Sequence, residues 1–425
     1  MSNGQTMEMH LGREYLKNLY RIECPDSTAR EFPVVYKKGL GSSVWDVEGK
    51  KYTDLSAGFG ALVCGHNHPE VEQSMLDYLK GHGVYHGLGD VHPSAAKIEY
   101  MQLLEKMLPF HLTKLMLSLT GSQAVEGALK TSILYTKKPG VICFKQGYHG
   151  LDLGAMLLTG GDKFRAPFSG WNRSSHVSHL DINLSREELE SHIRQRNDSH
   201  TPAGCIIVEP VLGRSGVYPL SMERLRMFKS VCEEHDMLLV FDEVLTGLGR
   251  TGVDFLSSIV HADIVCLGKA VGGGMPLSVV ATTDKVMQAW PKSQGEAIHT
   301  GTFFGHPLSC VVGRVTLEVV QKENLVVRSK VLGSKAIAFL KNELEGLPGI
   351  HEIRGSGLMI AVEYEKEGAG VQLMKRLLRD GVITVPSGSS GNVLSLTPAL
   401  NIDEDLLMAA LGKVCQHSVE MIHKR

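Results

Sequence analysis

Little in the sequence directs it to nucleic acid, to a bilayer or to an oxidising compartment. Its 425 residues hold 44 Lys and Arg against 46 Asp and Glu, a formal net charge of −2, so no excess of cations marks a nucleic-acid or anionic-membrane footprint. No stretch approaches the roughly 20 apolar residues that span a membrane. Residues Met1 to Thr6 lack the apolar core of a signal peptide, which makes the cytoplasm the expected location. The eight cysteines (Cys24, Cys64, Cys143, Cys205, Cys232, Cys266, Cys310 and Cys415) stand singly, without the paired spacing of zinc sites or the density of a disulfide framework, and most are expected to be buried thiols. Fixed-period repeats and low-complexity tracts are also missing. What these absences leave is a small-molecule partner.

The remaining composition is that of a globular chain, 43% apolar and 21% charged, and its length points to one large and one smaller domain. The 46 glycines suggest many tight loops. Short apolar runs at Lys114–Leu119, Val141–Phe144, Cys205–Val208, Met237–Phe241, Ile264–Leu267 and Ser278–Ala281 alternate with amphipathic stretches. One of these stretches carries Leu225, Phe228 and Val231 at helical spacing. This is the α/β pattern of a largely parallel sheet covered by helices. Beyond about Leu308 a long amphipathic region precedes strands near Leu358–Glu363 and Val393–Leu396. Between those strands lies a helix on which Val371, Met374 and Leu378 share a face, and a last helix carries Leu407, Leu411 and Val414. The segment Ser43–Leu55 reads as a hairpin joining this smaller α+β unit. The expected division is 1–65 (N-terminal segment contributing to the small domain), 66–310 (large domain) and 311–425 (C-terminal small domain).

Ligands of doubly wound sheets collect at the carboxyl ends of the strands, so the residues following each apolar run are informative. Asp242 follows Val240-Phe241, and Lys269 follows Val265-Cys266-Leu267-Gly268. Pyridoxal phosphate needs a lysine for its aldehyde and a carboxylate to keep its ring nitrogen protonated, and this pair supplies both. Taken singly, Asp242 reads equally as a turn cap and Lys269 as a solvated side chain. Gly121 and Ser122 open a helix after Leu119, where backbone donors suit a phosphate; Ser122 with Glu126 is equally a plain N-cap. Tyr148, in Phe144-Lys145-Gln146-Gly147-Tyr148-His149-Gly150, is placed to stack on a planar ring, or else to fill a turn. His66 and His68 have a His-x-His spacing, but a structural role before Pro69 outweighs a metal site. A nucleotide-binding module fits poorly: Gly268-Lys269 lacks a P-loop's flanking residues, and Gly272 to Gly274 lacks dinucleotide spacing.

Together these motifs resemble the class III aminotransferases, the fold-type-I pyridoxal-phosphate family that includes ornithine, 4-aminobutyrate and acetylornithine aminotransferases and glutamate-1-semialdehyde aminomutase. The resemblance runs from Val47-Glu48-Gly49 and Gly65-His66-Asn67-His68-Pro69 through Glu209-Pro210, Gly301-Thr302-Phe303, Arg354-Gly355-Ser356-Gly357-Leu358 and Pro398-Ala399-Leu400. It implies a large, mostly parallel seven-stranded sheet and a homodimer whose active sites lie at the subunit interface. By the same resemblance Gly121 and Ser122 bind the phosphate and Tyr148 stacks on the ring, with His149, Glu209 and Val244 lining the cofactor. Asp242 pairs with the ring nitrogen, Lys269 carries the cofactor as a Schiff base, and Thr302 reaches the phosphate of the neighbouring subunit. The implied reaction moves an amino group from an amine donor to a keto acid or aldehyde. An aminomutase, racemase or decarboxylase using the same Lys269 is the alternative.

The substrate end departs from that pattern. Where relatives such as ornithine aminotransferase carry an arginine for the α-carboxylate, three positions before Pro398, this chain has Ser395; where they carry a glutamate five residues after Glu209, it has Arg214. Arg214 is therefore expected to supply an anion anchor from the opposite wall, with a solvated loop arginine as the alternative. Leu245 stands where many relatives have glutamine. Phe59, and Tyr85 with His86 from a second loop, are the remaining candidates for the substrate wall.

Overall fold

The chain is described from a computed structural model covering residues 11–24, 28, 32–88, 91–170 and 175–423. Residues Met1 to Thr6, read above for their lack of a signal peptide's core, lie outside the described residues.

In chain order the strands begin with a meander, β1 (Tyr36–Leu40), β2 (Ser43–Asp46) and β3 (Lys51–Asp54). The large sheet then draws on β4 (Lys114–Ser118), β5 (Gly140–Phe144), β6 (Val177–Leu180), β7 (Ala203–Val208), β10 (Leu238–Asp242), β11 (Ile264–Leu267) and β12 (Ser278–Thr282), with the short pair β8 (Val211–Leu212) and β9 (Tyr218–Pro219) between β7 and β10. The C-terminal part contributes β13 (Ile350–Ser356), β14 (Met359–Tyr364), β15 (Val382–Ile383), β16 (Val385–Ser387) and β17 (Val393–Leu396).

The large sheet has seven strands in the order β4-β12-β11-β10-β7-β5-β6. All neighbours pair in parallel except β12, which runs antiparallel to β11 and β4. Strands β5, β7, β10, β11 and β12 are buried along their whole length, which is why they read as unbroken apolar runs rather than alternations. Along β10, Leu239 and Phe241 pack on one face with Phe144 and Phe228, while Leu238 and Val240 pack on the other with Val125 and Ala128. Burying each such side chain contributes about 1.5–3 kcal/mol. The helix Met222–Glu234 turns Leu225, Phe228 and Val231 to the sheet, as their spacing predicts. This arrangement gathers the loops after β5, β7, β10 and β11 along one edge.

The C-terminal sheet is antiparallel, in the order β13-β14-β17-β16, and β15 adds in parallel to β3 through Val382↔Thr53. The hairpin expected at Ser43–Leu55 forms and joins the C-terminal part in this way. The helix Glu404–His423 buries Leu407, Leu411 and Val414 as expected. Seven strands escaped the hydrophobic pattern, β1, β6, β8, β9, β13, β15 and β16, and two of them show why. β6 is an edge strand of sequence Val-Ser-His-Leu, and β13 carries His351, Glu352 and Arg354. The helix Ala369–Arg379 is rotated from its expected face: Ala369, Gly370, Leu373, Met374 and Leu377 are buried, while Val371 and Leu378 are only half-buried. Its close approach at Gly370, where a Cβ would stand 2.4 Å from the Val393 carbonyl oxygen, sets that rotation. His66 and His68 turn to different carboxylates, Asp54 at 3.0 Å and Glu323 at 3.1 Å. All eight cysteines are unpaired, and all but Cys24 are buried. No helix among the described residues is long and apolar enough to cross a membrane.

The helix Leu325–Leu344 touches the segment between β13 and β14 backbone to backbone. A Cβ on Gly333 would lie 2.0 Å from the Gly357 carbonyl oxygen, and Gly357 itself sits at φ +55. Gly333→Ala should therefore destabilise the fold by about 3 kcal/mol, read as a lower urea midpoint in circular dichroism. A midpoint within error of wild type would show that the contact yields.

Candidate active site

Asp242 is the last residue of β10 and is buried. Its Oδ2 lies 2.8 Å from His149 Nδ1, and its Oδ1 accepts from the Val244 amide at 3.1 Å. The His149 side chain is wholly buried. Glu209 directly follows β7 and accepts from the Tyr148 amide at 2.7 Å and the Gly213 amide at 3.2 Å. The turn after β5 is thus pinned at Tyr148 by one carboxylate and at His149 by another. Burial pushes the Glu209 carboxyl up to about 7, with His149 pulling it down and Asp242 pushing it further up.

Lys269 follows β11 by two residues and begins a single 3₁₀ turn, Lys269–Gly272. Its φ of +46 is a conformation that costs a non-glycine residue on the order of 1–3 kcal/mol and tends to occur at functional sites. Burial lowers its ammonium group below the ordinary lysine value, while Asp242 and Glu209 pull the other way. Lowering it raises the fraction of free amine, the nucleophilic form.

The helix Gly121–Thr136 is capped by Thr120, whose side chain accepts from the Gln123 amide at 3.2 Å. The capping role open to Ser122 in the sequence therefore falls to its neighbour, and the Ser122 hydroxyl accepts instead from the Asp152 amide at 2.9 Å. The amides of Gly121 and Ser122 stand in the first helical turn, where no helix carbonyl can take them. A Cβ on Gly121 would lie 2.6 Å from Val244 Cγ1, so glycine is what lets this helix end approach the Val244 wall.

These groups converge on a cavity of about 450 Å³. Phe59, Gly121, Ser122, Tyr148, His149, Glu209, Arg214, Asp242, Val244 and Lys269 line it, so the sequence candidates meet except for Tyr85, His86 and Thr302. Tyr85 is 73% exposed and lies away from the cavity. Thr302 is also outside it, its carbonyl 2.6 Å from His86 Nε2. The lining adds residues that the sequence reading had not singled out: Leu151, Val217, Met359, Val385, Pro386, Ser387 and Thr397. Leu151 directly follows the Tyr148-His149-Gly150 motif and was findable on that ground; the C-terminal residues carry no local signal. Ser395 lines the cavity too, its hydroxyl bonded to that of Ser387.

Arg214 is exposed at the cavity, its guanidinium carbon 5.3 Å from the Tyr148 ring centre and 5.6 Å from that of Phe164. Its loop is tied on both sides. Ser215 Oγ donates to the Gln146 carbonyl, and the Gly388 amide donates to the Arg214 carbonyl at 3.0 Å. Arg354 Nε donates to the carbonyls of Gly216 and Val217 at 3.0 and 3.1 Å, while its guanidinium lies 3.5 Å over the Tyr218 ring and pairs with Glu363 at 2.6 Å. This grip holds Gly216 and Val217 at φ +120 and +56.

The donor set suits pyridoxal phosphate: a helix N-terminus narrowed by Gly121, a buried carboxylate, an aromatic ring and a lysine with a lowered pKa face one cavity. The proton on Glu209 has a measurable effect on stability. With a folded-state value of about 7 against an ordinary 4.5, the folded chain keeps a proton that the unfolded chain has released. The Glu209 contribution therefore falls as pH rises through that window and is flat above it. The stability of Glu209→Gln relative to wild type should accordingly be higher at pH 8 than at pH 5 in urea titrations of the cofactor-free protein. A difference independent of pH would refute the raised value.

The chain matches the family model described as Aminotransferase class-III over residues 25–417. It is 33% identical to a diaminobutyrate–2-oxoglutarate transaminase of Wolinella succinogenes, over 94% of this chain and 95% of that one. It is also 33% identical to an acetylornithine aminotransferase of Methanopyrus kandleri, over 91% and 95%. The crystal structure of ornithine aminotransferase from Toxoplasma gondii superimposes with a TM-score of 0.86 at 26% identity, covering both chains entirely. These relatives are named as transaminases, which favours amino transfer over the aminomutase and racemase chemistry that the same lysine would serve. The chain belongs to the class III aminotransferases and is a pyridoxal-phosphate-dependent enzyme that moves amino groups between small molecules.

Proposed function

We propose that Lys269 is the acid and base of the transfer, that Asp242 and the Gly121–Ser122 helix end hold the cofactor, and that Arg214 grips a carboxylate of the substrate. The observation that carries this reading is the convergence of all five residues on one cavity. When bound, pyridoxal phosphate supplies the aldehyde carbon that takes up the amino group and the protonated ring that withdraws electrons from it. The Asp242 carboxylate favours a proton on the ring nitrogen, and His149 fixes the orientation of that carboxylate. The amides of Gly121 and Ser122, at the positive end of a sixteen-residue helix, suit the phosphate. Tyr148 offers a ring face and Val244 an apolar wall. Lys269 Nζ would be the group that takes a proton from the amine-bearing carbon of the substrate and holds it during the transfer.

Arg214 stands at the mouth with its guanidinium near two rings and no carboxylate partner among the described ion pairs, so it is free to take one from a ligand. Phe59, 61% exposed, forms the apolar rim beside it. Arg214→Ala should raise KM for an acidic amino donor about 10- to 100-fold while moving that for an uncharged amine far less. Equal effects on the two donors would exclude the anchor.

The second copy of the chain belongs to the same reading. Val84, Tyr85, Leu88, Ile298 and Phe303 are all more than half exposed, and the His86 and Phe303 rings meet edge-on at 5.5 Å, so two loops form one apolar surface around Thr302. A patch of that kind suits a subunit interface, and a homodimer would carry Thr302 and Tyr85 to the partner's cavity. Mixing Lys269→Ala and Thr302→Ala subunits after mild dissociation should then restore activity that neither variant has alone; no recovery would separate Thr302 from the partner's site. The separation of the large sheet from the C-terminal one supports the division into 1–65, 66–310 and 311–425. Unpaired, mostly buried thiols support a reducing, cytoplasmic location.

A further inference from the structure

Among the described residues lining the cavity, the cations are Lys269 and Arg214. Lys269 serves the cofactor under the proposed function, so one cation remains for the substrate. The rest of the wall holds no lysine or arginine. Leu151, 49% exposed, Met359, Val385 and Pro386 offer only apolar side chains to a ligand. The hydroxyls of Ser395 and Ser387 bond to each other, and that of Thr397 donates to the Ser56 carbonyl at 3.0 Å. Glu209 and Asp242 add carboxylates, not cations. Arg250 is fully buried and outside the lining; its Nη1 donates to the carbonyls of Leu358 and Pro398, while its Nε and Nη2 have no partner among the described residues. Residues 81–96 and 293–313, the loops around Tyr85 and Thr302 proposed to reach a partner's cavity, hold no lysine or arginine, the nearest being Lys97, Lys292 and Arg314 at their ends.

We infer that the amino acceptor is a 2-oxo acid with a single carboxylate, of the pyruvate kind, and that dicarboxylic 2-oxo acids such as 2-oxoglutarate are poor acceptors. A first carboxylate finds Arg214. A second would lose water against carbon, close to other carboxylates and without a cation, which disfavours it strongly. The exchange balances without any further reagent. The donor carbon gives up its amino group and one hydrogen for the carbonyl oxygen, and the acceptor carbon takes the amino group and hydrogen for its own. A two-electron oxidation of the one thus matches the reduction of the other. This inference rests on the roles proposed for Lys269 and Arg214.

The test uses the holoenzyme. An amine donor given alone should bleach the visible absorbance of the bound cofactor, and each acceptor is then added and the return of colour timed. Pyruvate should restore it with a second-order constant about tenfold or more above that of 2-oxoglutarate. Without turnover, propionate should perturb the absorbance of the resting holoenzyme at a lower concentration than glutarate does. Leu151→Arg, which adds a second cation at an exposed position, should raise the ratio of the 2-oxoglutarate to the pyruvate constant about tenfold. Bleaching followed by equal or faster return with 2-oxoglutarate in the wild type overturns this inference alone. A holoenzyme that no amine bleaches overturns the proposed function, and this inference with it.

Discussion

The buried contact between Asp242 and His149 is the constraint from which the rest of the site follows. A carboxylate at the end of an interior strand can remain charged there only with hydrogen bonds to hold it, and it has two, from the His149 imidazole and the Val244 amide. The same imidazole fixes the turn after β5 and so sets where the Tyr148 ring lies. The Val244 amide fixes the second residue of the loop after β10, whose side chain in turn meets the helix end at Gly121. Removing His149 would leave a buried carboxylate oxygen without its partner, a larger loss than that of an exposed hydrogen bond. The cofactor end is therefore a single connected structure.

This connectedness explains why the cofactor end was legible in the sequence. Asp242, Lys269, Tyr148 and Gly121 each follow an apolar run, and a parallel sheet brings the ends of such runs to one edge. The buried strands announced themselves as unbroken hydrophobic stretches because both of their faces are covered. Edge strand β6 and the charged β13 did not, since a polar strand and a polar loop look alike in composition. The rotation of the helix Ala369–Arg379 was equally hidden, because it depends on a glycine meeting a carbonyl far away in the chain. Ser122 shows a finer limit: it was open as the cap in the sequence, and the geometry gives that role to Thr120 instead.

The substrate end obeys different rules. Its walls come from the loop after β7, from the left-handed turn at Ala57–Gly60 that presents Phe59, and from β14, β16 and β17 of the other sheet. Residues that meet across such distances leave no periodic or spaced signal. Ser395 and Arg214 stood out only against the pattern of relatives. Met359, Ser387 and Thr397 had nothing to mark them, yet they determine which charges and shapes the cavity tolerates.

The grip of Arg354 on the Arg214 loop joins these two ends. Arg354 belongs to β13 and is anchored by Glu363 on β14, while the carbonyls it holds belong to a loop that grows from the large sheet. The position of the exposed cation is thereby a readout of how the C-terminal sheet sits against the large one. Selectivity in this chain is then open to adjustment from outside the cavity: drift at the back of β13 or β14 would re-aim Arg214 while every residue touching the cofactor stayed the same. A lineage built this way can change its diet without rebuilding its chemistry.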